Sequence, residues 1–192
     1  MNRVIAVGVL VVSINSLALA GEPRASKELR FQSVVSVPAA TRDQIYDTAL
    51  GWFSETFKGP KASVEQNRLA GLLTGRGAER YVPPFMSTAC TGWIRYRVTL
   101  VARDGRYDWA VEGFTHEGDP FCNKRSFGLL TTNWLDETIT RTIFDMTLQR
   151  PRRVSAELDA WVDMKEKATA IAGKVSRSLR QRLAVAAKKP DA

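Results

Sequence analysis

"WIRYRVTLVARDGRYDWAVEGF", residues 93–114, decides how this chain folds. Two runs in which apolar and polar residues alternate flank Asp104-Gly105. Asp-Gly readily takes the positive φ that both central positions of a two-residue hairpin turn require. A turn there fixes the register. Ala102 then faces Tyr107, Leu100 faces Trp109, and Val98 faces Val111 on one side of the ribbon. On the other side Arg103 meets Arg106, Val101 meets Asp108, Thr99 meets Ala110, and Arg97 meets Glu112. One face is apolar and the other mostly polar, so slippage by a single residue would bury the wrong set. The two cysteines, Cys90 and Cys122, lie beyond the open end of this hairpin. Extending the ladder puts Cys90 opposite Asp119, with loop residues supplying the remaining reach to Cys122. A disulfide between them would close a loop of about 33 residues and contribute about 3 to 4 kcal/mol.

The N-terminus bears on whether that disulfide can form. Arg3 gives a positive start, "VIAVGVLVV" (4–12) an apolar run, and "ALA" (18–20) a small-residue cleavage site before Gly21. The expectation is a signal peptide over 1–20, cleaved after Ala20, and a periplasmic or secreted mature chain. The alternative is an uncleaved N-terminal anchor, although the run is short for a membrane span. In an oxidising compartment two cysteines read as a disulfide rather than as metal ligands.

Net charge is +8, and from Arg150 onward eleven Lys and Arg stand against five Asp and Glu. An exported basic protein rarely meets nucleic acid, so the partners expected are an acidic protein or an anionic envelope surface. A solvated basic helix without a partner is the alternative.

The rest of the chain reads as a single α+β domain. "LRFQSVVSV" (29–37) alternates as a strand, and Thr41 with Gln44 forms a capping box that starts a helix over 42–57. Ile45, Ala49, Trp52, Phe53 and Phe57 make its apolar stripe. "ASVEQNRLAGLLTGRG" (62–77) reads as a second hairpin, whose glycines suggest a bulge or a close backbone approach. Residues 80–92 read as a loop and 138–148 as a further strand. Ser155 is placed as the cap of a long helix ending near Val185, with Gly173 as a plausible break. The divisions that follow are 21–28 as a linker, 29–172 as the folded domain, and 173–192 as a basic helix end and tail.

The order of elements and several residues resemble a bacterial family of domains of unknown function, found in exported proteins, whose fold is named for the TATA-box-binding protein (TBP-like). The resemblance rests on "VVSVPAATRDQIYDTALGWFSETF" (34–57) with Tyr46 and Trp52, on "AGLLTGRG" (70–77), and on the turn from Arg103 to Tyr107. It covers about residues 29–116, and the C-terminal part does not map onto it. It implies a curved antiparallel sheet with helices on one face, in the order strand, helix, four strands, helix. It implies no activity, because function resides in a site and not in a fold.

No motif carries chemistry. His116 in "THEGD" is the single histidine, too few for a metal or acid–base cluster, and reads as part of a polar turn. "GLLTGRG" lacks the Lys-Ser/Thr that would make it a phosphate loop, and no Gly-x-Ser-x-Gly occurs. No cofactor and no metal are expected, and the chain is not read as an enzyme. What remains is surface. A sheet covered on one face leaves Arg95, Arg97, Arg103 and Arg106 on the other, beside Thr99, Asp108 and Glu112. Trp93 and Trp134 flank strand ends, and Lys174, Arg177 and Arg180 dominate the last helix. The function expected is a non-enzymatic module that binds a macromolecule. The alternative is a small-ligand domain using the concave sheet face, which a deep apolar pocket lined by Trp93 or Trp134 would favour.

Overall fold

The computed structural model describes residues 28–82, 91–119, 126, 128–131 and 151–186, with the side chains of the last helix from 159 to 184. The segment expected to be a signal peptide, Cys90, Cys122, Trp134, the strand expected over 138–148 and the C-terminal tail lie outside the described residues.

The quoted hairpin forms as β4 (Gly92–Arg103) and β5 (Arg106–Gly118). Its register is the expected one from Arg103↔Arg106 to Arg97↔Glu112. Gly105 supplies the turn with φ +69°. Asp104 has a second role, because its Oδ1 accepts from the backbone N–H of Arg42 at 2.8 Å, at the start of a helix. Gly105 also donates its N–H to Ala40 O, while its carbonyl accepts from Val37 N. The turn is thus fastened to the strand–helix connection that precedes it.

Farther along, the register departs from the sequence expectation. Arg95 pairs with Thr115, one residue beyond its strict partner, and the extra residue on β5 is taken up near Gly113 at φ +67°. A bulge here has a clear cause. Strict alternation would send Phe114 to the polar face, whereas the inserted residue turns Phe114 and His116 inward, where both are buried. His116 therefore sits within β5, its ring edge-on to Tyr81 at 5.6 Å, and not in a polar turn.

Around this ribbon the sheet is antiparallel in the order β1-β5-β4-β3-β2. β1 (Phe31–Ser36) lies beside β5, β3 (Leu72–Tyr81) beside β4, and β2 (Ser63–Asn67) beside the first half of β3. A short β6 (Gly128–Leu129) pairs with β5. β3 and β4 take up the two ends of the loop expected over 80–92. Gly75 and Gly77 are not bulged. They lie in the regular β3 ladder beneath aromatic rings: a Cβ at Gly75 would collide with Phe57, and one at Gly77 would lie 2.9 Å from the Tyr96 ring.

Both helices cover one face. α1 (Arg42–Thr56) starts on the Thr41–Gln44 capping box and buries Ile45, Tyr46, Ala49, Trp52 and Phe53. α2 spans Pro151–Ala186 without interruption. It begins four residues before the expected Ser155 cap, at a proline, whose fixed φ suits a first helical position. Nor does it break at Gly173. Val175, Leu179 and Leu183 continue the buried stripe of Trp161, Met164, Ala168 and Ile171, so the core reaches past residue 172. Packing of that stripe outweighs the roughly 1 kcal/mol that a helical glycine costs. The result is the α+β architecture expected, a curved antiparallel sheet with a helical layer on one face and a long C-terminal helix.

Candidate functional site

The face of the sheet away from the helices carries the predicted arginines, and alternation places them there. Arg95, Arg97 and Arg103 project from β4, and Arg106 from β5. β3 adds Arg76 and Arg80 to the same face, and Arg30 lies at its margin just before β1. Register then decides their partners. Glu112 accepts from Arg97 Nη2 at 2.8 Å and lies 3.1 Å from Arg30 Nε, so one carboxylate serves two guanidiniums. Arg103 Nε meets Asp108 at 3.2 Å, Arg76 meets Glu65 at 3.2 Å, Arg80 meets Asp119 at 2.8 Å, and Arg95 pairs with Glu117.

These arginine side chains are about half exposed, so each pair contributes about 0 to 1 kcal/mol to stability. Their main effect is to hold the guanidiniums in fixed positions. The surface is therefore a lattice of ion pairs with a small cationic excess, not a continuous basic field. Arg106 has no carboxylate partner among the described residues. Between the rows, Val34, Thr99, Val101 and Ala110 form the floor of a shallow hollow of about 370 Å³ edged by Asp108 and Glu112. Val34 is 63% exposed.

Trp93 lies at the strand end, where Lys61 Nζ stands 4.6 Å and Arg80 Cζ 5.5 Å from its ring. It lines a small hollow of about 240 Å³ with Phe57, Gly77 and Tyr96. Lys174, Arg177 and Arg180 belong to the opposite layer, on α2. Lys174 approaches Glu79 at 3.7 Å, while Arg177 and Arg180 are exposed, with no carboxylate partner among the described residues. The structure does not bring these three together with the sheet-face arginines.

One cluster escaped sequence reasoning. Glu79 occupies the inward row of β3, between α1 and α2, where Lys167 approaches it at 3.6 Å as well as Lys174. Beside it Trp52 Nε1–H donates to Ser178 Oγ at 3.2 Å, and these groups with Tyr96 and Ile171 enclose a cleft of about 390 Å³. Burial first, and then the nearby Glu79 charge, pushes the Tyr96 phenol up to about 12, so it stays a neutral hydroxyl at ordinary pH. The signal available in the sequence was a glutamate in a row otherwise made of Leu73, Gly75, Gly77 and Tyr81. Among the described residues no three His, Cys, Asp or Glu side chains converge as metal ligands.

Residues 31–117 match the model of a family described as a domain of unknown function (DUF4468) with TBP-like fold. A crystal structure of a TBP-like protein from Parabacteroides distasonis is similar, with a TM-score of 0.57 at 13% identity over 88% of this chain and 98% of that one. A DUF4468 family protein from Bacteroides ovatus gives a TM-score of 0.51 at 17% identity over 88% and 91% of the two chains. At such identities the likeness is one of fold. No curated protein matches the sequence.

Proposed function

We propose that this chain, whose residues 31–117 match the DUF4468 family model with its TBP-like fold, is a non-enzymatic binding module whose helix-free sheet face docks an acidic protein. One observation carries the reading. Arginines ordered by cross-strand carboxylates surround a floor of Val34, Thr99, Val101 and Ala110 on a face that no described element covers. Arginine suits such a role because its planar fork binds carboxylates in two-point geometry and its stem adds apolar contact. The cationic excess, with Glu112 shared by two arginines and Arg106 without a carboxylate among the described residues, selects a partner bearing carboxylates. The signal-like N-terminus supports an envelope setting, and the absence of any recognisable catalytic motif supports binding over turnover. The hollow of about 370 Å³ favours a second reading, a small ligand on the same face.

Crosslinking and affinity capture from envelope extract tests the proposal, with the mature chain as bait beside an Arg97→Ala/Arg103→Ala variant. Truncation at Gly173 is not a usable control, because it would remove Val175, Leu179 and Leu183 from the core.

A further inference from the structure

A second surface goes beyond the sheet face. β2 begins only at Ser63, opposite Arg76, while β3 continues past it to Tyr81. The carbonyl of Gly71 accepts from Ala102 N at 2.8 Å, so the odd-numbered residues of β3 turn their backbone groups toward β4 and the even-numbered ones away from it. Leu72, Thr74 and Arg76 meet β2 in this way. Ala78 and Arg80 come next, and they hold their N–H and C=O groups at the sheet edge with no backbone partner among the described residues. An open ladder of this kind is a template for another strand.

The space beside this edge is shaped. The hollows of about 240 and 390 Å³ share Thr56, Ala78 and Tyr96, and so run together as one groove along β3. Trp93 stands at one end and Trp52 at the other, with Phe57 and Tyr96 between them. Lys58, Lys61 and Lys174 line it, and Lys167 approaches from α2, against the single carboxylate of Glu79. We infer that the free edge of β3 is a strand-addition site for an acidic extended peptide. Backbone groups of Ala78 and Arg80 bind its main chain, alternate side chains enter the aromatic hollows, and its carboxylates meet the lysines.

The probe is a capped synthetic peptide of alternating valine and glutamate, added to the full chain. It is expected to slow amide hydrogen exchange at Ala78 and Arg80, and to bind more weakly when salt is raised to about 0.5 M. A peptide of alternating valine and lysine is expected not to bind. Ala78→Pro removes one edge donor without touching the β4 ladder, follows a glycine already in extended conformation, and is expected to weaken binding by about tenfold. Arg97→Ala/Arg103→Ala should leave the peptide affinity unchanged, which separates this site from the sheet face. Unaltered exchange at Ala78 and Arg80, equal binding by Ala78→Pro, or loss of binding in the double arginine variant would overturn the inference.

Discussion

Replacing Leu179 by alanine tests whether the basic end of α2 is a packed wall or a solvated appendage. Leu179 is 0% exposed and lies in the central cluster, six residues beyond the glycine where the sequence suggested a break. Removing three buried carbons loses their transfer energy and leaves a cavity that helix and sheet close only in part. The cost expected for a buried leucine is about 3 kcal/mol. In a chain of this length each kcal/mol lowers the melting temperature by about 2 to 4 °C, so the variant should melt about 6 to 12 °C below the wild type. Arg177, two residues earlier on the same helix, is exposed and has no carboxylate partner among the described residues, and its replacement by alanine should change stability by less than about 0.5 kcal/mol. Thermal and urea unfolding of the two variants side by side reads the contrast. A Leu179→Ala loss below about 1 kcal/mol, or equal effects at the two positions, would refute the packing of this helix segment.

Two further outcomes follow from the same packing. Gly77→Ala places a methyl 2.9 Å from the Tyr96 ring and 3.1 Å from Phe57, and should destabilise by about 1 to 3 kcal/mol in urea unfolding, whereas the ordinary gain from replacing glycine would raise stability. The phenols of Tyr96 and Tyr107 are pushed up to about 12 by burial, from an unfolded value of 10.0. Because the folded values are raised, this contribution is fully present below pH 10 and is lost as pH climbs toward 12, which unfolding followed across that window beside phenolate absorbance would show.

The hairpin was legible because its information is local. Asp104-Gly105 sets the turn, alternation sets the faces, and together they name the Arg97–Glu112 pair before any tertiary contact is known. The bulge left a trace as well. Phe114 falls on the polar side if alternation continues, and Gly113 beside it is the residue that can absorb an extra position, but a single out-of-phase aromatic does not say which strand bulges. At Gly173 local propensity competed with the stripe running through Ile171, Val175, Leu179 and Leu183, and the stripe prevailed because it has a sheet and α1 to pack against. The ion pairs of Arg30 with Glu112 and of Arg80 with Asp119 join residues distant in sequence, so no local pattern announces them. The Glu79 cleft exists only because α2 crosses above β3, and nothing short of that placement reveals it.

We propose that the arginine-bordered sheet face binds an acidic protein. Arg97→Ala/Arg103→Ala is the decisive variant, because both side chains are about half exposed, at 45% and 53%, and loss of the two pairs should leave the fold within about 2 kcal/mol of wild type. The measurement is quantitative crosslinking of wild-type and variant chains spanning residues 21–192 in envelope extract, with circular dichroism confirming equal folding. Docking on this face should give a crosslinked protein partner with wild type that is lost or sharply reduced with the variant. A partner captured equally by both would contradict it.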